Sequence, residues 1–186
     1  MKQYVRCKAC GYIMEADKLG QFCPACGVSA KVFEPYEEKI SEKRKRILDL
    51  HIHPIIVHLP QGMAPLIVVL AAALAVLGEG SLRSILLDAT RVLAVLLPLS
   101  TLLAIGSGIL DGKTRFKKLT TQILVRKMVT GALFFALSLA AGVLALFTPL
   151  AAAALGAFAV LELLSLVAAV LLGHWGFGLI NARMPG

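Results

Sequence analysis

Four cysteines carry the most specific chemistry in this 186-residue chain, and all of them fall before residue 27. Cys7 and Cys10 form one Cys-x-x-Cys pair, Cys23 and Cys26 form a second, and 12 residues separate the two. Two such pairs set four thiolates around one ion in a tetrahedron, a geometry that zinc and iron both accept from sulfur. Zinc there would only fold a ribbon. Iron would add one-electron redox chemistry.

Histidines form the second set: His51, His53, His58 and His174. A neutral imidazole ligates metals and carries protons near neutral pH. His58 and His174 are the candidate axial ligands of a haem b. Arg126, Lys127 and His53, together with Arg115, are candidate contacts for its propionates. Gly106, Gly108, Gly173, Gly176 and Gly178 would leave room for a flat macrocycle, with Trp175 and Phe177 packed on it. The same residues could line a quinone pocket instead. A third reading gives the glycines to close helix approach and the imidazoles to headgroups or backbone. Glu162 lies in an apolar stretch where a charge costs at least about 2.5–3.5 kcal/mol. It is expected to hydrogen-bond the hydroxyls of Ser100, Thr101, Ser138 and Ser165, or to relay protons. No nucleophile–base set, phosphate-binding glycine loop or paired-carboxylate site occurs, so no catalytic residue is assigned.

These groups need elements to hold them, and composition says which kind. Hydrophobic residues make up 58% of the chain and charged residues 16%, with a mean hydropathy of +0.82. Globular proteins average about 45–50% apolar and about 25% charged. A soluble core of this size could not hide such a surplus. Seven of the 11 acidic residues lie in the first 50 positions, beside the cysteines. The chain therefore divides into a small metal domain over residues 1–36, a basic linker over 37–52 and a transmembrane domain over 53–186.

Spanning helices need about 20 apolar residues. Residues 59–77 supply the first and 92–110 the second, which begins earlier, near Ser84. Residues 128–161 are uncharged and too long for one span, so the break falls at Thr148-Pro149. Helix three then runs from 128 to 147 and helix four from 150 to 172. The fold class expected is a zinc-ribbon-like metal domain joined to an all-α transmembrane four-helix bundle. In the linker, Tyr36, Ile40, Ile47 and Leu50 recur at near-helical spacing beside Lys43-Arg44-Lys45-Arg46. That pattern suits a helix lying on anionic lipid, or a solvated charged connector.

The net charge is +8. Basic residues flank apolar segments instead of lining one soluble face, which argues against nucleic acid. Lys39, Lys43, Arg44, Lys45, Arg46, Lys113, Arg115, Lys117, Lys118, Arg126, Lys127 and Arg183 fall on one side of the spans, against Arg83 and Arg91 on the other. The positive-inside rule then puts both termini, and the cysteines, on the cytoplasmic side of an inner membrane. Thiols in that reducing compartment bind metal instead of forming disulfides. The opening residues MKQYVRCKAC lack the apolar run of a secretory signal.

Tyr4-Val5-Arg6-Cys7-Lys8-Ala9-Cys10-Gly11-Tyr12, Cys23-Pro24-Ala25-Cys26-Gly27 and Phe33-Glu34-Pro35-Tyr36 resemble rubredoxin. The short spacer is similar to that of rubrerythrin rubredoxin-type domains. This resemblance implies an Fe(Cys)4 centre that shuttles one electron, tuned by backbone N–H groups that the post-cysteine glycines turn toward sulfur. Further on, His53-Pro54-Ile55-Ile56-Val57-His58-Leu59-Pro60 and Gly108-Ile109-Leu110-Asp111 resemble a bacterial four-helix membrane family of unknown function. That second resemblance implies the bundle and no chemistry.

The expected function is membrane-bound electron transfer, as a component more than a complete enzyme. A cytoplasmic donor or reductase would reduce the iron, and haem b or quinone would accept the electron. Membrane lipids and an oligomer or larger redox complex are the other partners expected. The rival readings are a zinc-ribbon adaptor recruiting a cytosolic partner, and a transporter or channel subunit using Glu162.

Overall fold

The computed structural model describes residues 3–37, 41–116 and 119–180, apart from the side chains of residues 42 and 178–180. Lys39, Ile40, Lys117, Lys118 and Arg183 lie outside the described residues, and nothing beyond backbone is described at Gly178. The chain forms two compact units, Met1–Arg46 and Ile47–Gly186.

The first unit is a three-stranded antiparallel sheet in the order β2-β1-β3, built from β1 (Tyr4–Cys7), β2 (Ile13–Glu15) and β3 (Phe33–Tyr36). Tyr4 pairs with Glu15 on one side and Tyr36 on the other. Cys7 and Cys23 are the buried side chains among its described residues. A unit this small cannot be held by apolar burial alone and needs a staple. Tyr36 therefore belongs to a strand and not to the amphipathic stripe expected of the linker. The basic helix is α1 (Glu42–Asp49), and Lys45 Nζ lies 3.8 Å from the centroid of the Tyr4 ring. The limit between the two units falls within α1.

In the second unit α2 (Ile52–Val76), α3 (Ser81–Phe116), α4 (Gln122–Phe147) and α5 (Ala152–Ile180) follow one another. Each packs on the next, and α5 returns to α2, closing an antiparallel bundle. All four are long and apolar enough to cross a membrane. The shortest, α2, has 25 residues, or about 37 Å at 1.5 Å per residue, against a hydrocarbon core of about 30 Å. Apolar side chains also cover the outside: Val69, Val76, Leu103, Val129 and Phe147 are all exposed. Such a surface matches lipid and marks a multi-pass membrane architecture.

The interior mixes a few large residues (Ile67, Leu74, Leu97, Phe134, Phe158) with Ala64, Ala71, Ala94, Ala141 and Ala145. Small residues let helix backbones approach. Gly142 is the extreme case, since a Cβ there would lie 2.7 Å from the Ala94 carbonyl oxygen. Pro60, Pro65 and Pro98 sit inside helices that nevertheless run unbroken.

Every helix overruns the apolar stretch that marks it in the sequence. α2 starts at Ile52, capped by His51, whose left-handed backbone (φ 49°) separates it from α1. α3 extends to Phe116, and α4 begins at Gln122, six residues before the uncharged run. Helical hydrogen bonding continues where charged side chains already reach water or headgroups, because both keep their polar ends wet.

Candidate metal centre and the polar end of the bundle

The two cysteine pairs adopt the same turn. Gly11 and Gly27 have φ of 78° and 74°, a left-handed backbone that costs glycine nothing. Their amides donate back to the Cys7 and Cys23 carbonyls at 2.8 and 2.9 Å. The Cys7 amide donates to the Tyr12 carbonyl, and the Cys23 amide to that of Val28, at 2.8 and 2.7 Å. Each turn thus folds both of its thiols toward one point.

All four sulfurs lie within 4.8 Å of one another, with Cys7 Sγ–Cys26 Sγ at 3.9 Å and Cys10 Sγ–Cys23 Sγ at 3.8 Å. A tetrahedron with metal–sulfur bonds of about 2.3 Å has edges of about 3.8 Å. The thiols are therefore spaced as ligands of one metal, and too far apart for disulfides, whose sulfurs sit about 2.05 Å apart. Charge argues the same way. Burial resists ionisation of Cys23, yet the amides of Cys26 and Ala25 and the thiols of Cys26 and Cys10 outweigh it, bringing its pKa down to about 7. At Cys26 the Val28 amide favours the anion, but the neighbouring sulfurs and burial push the thiol up to about 12. One sulfur gives up its proton readily, and the last does so only when a cation shares the charge. At Cys23 and Cys26 the amides that act on sulfur are those of Ala25, Cys26 and Val28.

A family model described as the rubredoxin-like domain of rubrerythrin matches residues 6–34. Residues 6–34 are a rubredoxin-like domain. No curated protein and no solved structure matches the chain.

Two features of the rubredoxin-like domain bear on its use. Cys7 and Cys23 are buried, whereas Cys10 and Cys26 are exposed, so one edge of the sulfur cluster meets the surface. On the sheet, Arg6 on β1 faces Glu34 on β3, donating from Nε at 3.0 Å and from Nη2 at 2.5 Å, while Lys8 Nζ stands 3.8 Å from the other carboxylate oxygen. The Arg6 hydrogen bonds hold Glu34 below the usual carboxylate range, against a smaller effect of burial.

In the helical unit the histidines separate into two roles. His53 is half-buried, its Nδ1 3.1 Å from Ser107 Oγ on α3. His58 and His174 are exposed. His58 Nδ1 donates to the Pro54 carbonyl at 2.5 Å, which leaves Nε2 with a free lone pair. A Cβ at Gly173 would lie 3.1 Å from Gln61 Nε2. His58, one turn before Gln61, and His174, beside Gly173, therefore occupy the same end of neighbouring helices.

The glycines expected to make room for a macrocycle between helices receive side chains instead. His53 Cε1 lies 2.9 Å from where a Cβ of Gly108 would be, Gln61 covers Gly173, and Lys127 Nζ is 3.5 Å from the equivalent point at Gly176. Gly106 faces outward. Trp175 is half-buried and Phe177 exposed. Of the two cations expected for propionates on α4, Arg126 is exposed and Lys127 turns inward. Asp111 forms an ion pair with Arg115 at 3.4 Å and acts electrostatically on both His53 and Lys127. His53, Ser107, Asp111, Arg115 and Lys127 thus make one polar cluster at this end of the bundle. Ser107 and Gln61 escape sequence reasoning, because only the helix register reveals what they face.

Glu162 does not bond the hydroxyls expected of it. Ser100 and Thr101 donate to the Leu97 carbonyl at 2.8 and 2.9 Å, and Ser138 donates to that of Phe135 at 3.0 Å. Serine and threonine in helices find a carbonyl three or four residues back without reaching across.

Proposed function

We propose that the protein is a membrane-bound electron-transfer component. Single electrons pass from a cytoplasmic donor or reductase, by way of Cys7, Cys10, Cys23 and Cys26, to an acceptor at the cytoplasmic end of the helical unit. Iron bound by the four thiolates would supply the chemistry, alternating between ferrous and ferric states. The observation that carries the reading is the tetrahedral sulfur spacing within a rubredoxin-like domain. The exposed edge at Cys10 and Cys26 supports it further, since an electron can enter and leave there without crossing much protein.

The acceptor in this reading is a haem b held by His58 and His174, a quinone, or both in turn. His58 supports a ligand role: a ring nitrogen fixed on a backbone carbonyl leaves the other oriented as an acceptor. Both imidazoles are exposed, so the haem would lie against the outside of the α2–α5 pair, not within the bundle. Lys127, which turns inward, offers a hydrogen-bond donor for a quinone carbonyl. The excess of basic residues beside this end supports an inner-membrane location with the rubredoxin-like domain in the cytoplasm.

The optical spectrum of the purified full-length protein tests the reading. Oxidised iron–thiolate absorbs broadly in the visible and bleaches on reduction, and a haem adds a Soret band. If a Soret band is present, His174→Ala abolishes or shifts it, and an unchanged band removes His174 as a ligand. A colourless protein carrying zinc would leave a tethered docking module in place of an electron carrier.

A further inference from the structure

Glu162 has no solvent exposure, and neither carboxylate oxygen has a hydrogen-bond partner among the described residues. Ser165, one turn on along α5 and equally buried, has a hydroxyl in the same condition. Two unpartnered polar side chains at i and i+3 share one face of the helix. The bland explanation, a carboxyl that ties helices together, fails because neither Glu162 oxygen has a hydrogen-bond partner on any described helix.

No cation among the described residues neutralises the group either. α5 packs on α4 and α2, and residues 59–77 of α2, 92–110 of α3 and 128–147 of α4 carry no charge. Arg91, toward the other end of α3, pairs with Asp88. An isolated carboxylate in such surroundings keeps its proton. A buried polar group with no partner also costs stability, so its presence calls for a use or an unseen small ligand.

We propose that Glu162 and Ser165 form a proton-binding site inside the bundle, one that exchanges its proton with the aqueous phase. The donor set selects a proton over a metal cation. Hard cations take several oxygen ligands, and here only the two carboxyl oxygens and one hydroxyl are uncommitted. Ser165 Oγ, itself without a partner among the described residues, is the neighbouring group to which the acid proton passes, a transfer that changes no oxidation state and needs no co-reactant.

Infrared spectroscopy of the full-length protein in lipid vesicles tests this. Exposed carboxyls are ionised at neutral pH, so a neutral-acid carbonyl band there is assigned to Glu162 by its shift on 13C-glutamate labelling and its loss in Glu162→Gln. The labelling needs no variant and holds even if the substitution unfolds the bundle. On transfer to D2O the band is expected to shift before the helix amides exchange, since a working site reaches water without the bundle opening. Absence of a neutral-acid band overturns the proposal, as does a band that shifts only together with the amides, and so does loss of the band when sodium is added. The measurement does not depend on the metal in the rubredoxin-like domain, so it stands or falls apart from the electron-transfer reading.

Discussion

The two units reach order by opposite means. In the rubredoxin-like domain the buried side chains are cysteines, and the sheet around them is three short strands. In the bundle no metal-ligand cluster occurs among the described residues, and order comes from alanine and glycine faces that let long helices touch. One unit gathers its buried side chains into a single set of sulfur ligands at a point, the other makes many weak contacts along a length. A perturbation of either therefore ought to leave the other folded.

Metal removal gives the largest effect. A strong chelator, or Cys23→Ser, is expected to cost the head essentially all of its folding free energy, because the metal replaces the apolar core. The helical circular dichroism of the bundle stays unchanged. Acid acts in the same direction, since each thiol regains its proton in competition with the metal. Survival of the head's tertiary near-ultraviolet signal without metal would break the contrast between the units.

Next in size is Gly142→Ala. Its Cβ would meet the Ala94 carbonyl at 2.7 Å, so α3 and α4 must part, at about 1–3 kcal/mol. Thermal unfolding of the helices reports this loss while metal content stays at the wild-type level. Gly27→Ala does the converse. Nothing crowds the site, but φ is 74°, so the cost is about 1–2 kcal/mol of backbone strain. It appears as faster metal release, with an unaltered bundle.

The smallest effect belongs to Glu34. Its folded-state pKa is depressed by Arg6, so the stabilisation is present above the unfolded value of about 4.3 and is lost as pH falls through the folded one. Glu34→Gln removes that loss. The pH dependence of head unfolding in the acid limb flattens, and the change near pH 7 is minor because the pair is partly exposed.

What the sequence makes legible divides along the same line. The cysteine cluster can be read directly, because a Cys-x-x-Cys turn positions its own ligands and asks little of distant residues. The spans are legible because lipid forces a long apolar run, and Thr148-Pro149 marks the break within the longest one. Helix ends are not, since Ile52 and Gln122 are helical among polar neighbours that hydropathy reads as loop. Contacts across the bundle are least legible. That His53 rests on Gly108, Gln61 on Gly173 and Lys127 on Gly176 depends on register between helices, which composition does not encode. The same gap hid the solitude of Glu162: Ser100, Thr101 and Ser138 bond their own backbone, and Ser165 bonds nothing among the described residues.

The account rests on a thiolate-bound metal with two accessible valences, and a reductive titration of full-length protein with parallel metal analysis tests it most directly. One iron per chain that takes up one electron, with loss of visible absorption, is the outcome predicted. One zinc per chain, with no electron taken up at any potential that leaves the protein folded, would contradict it.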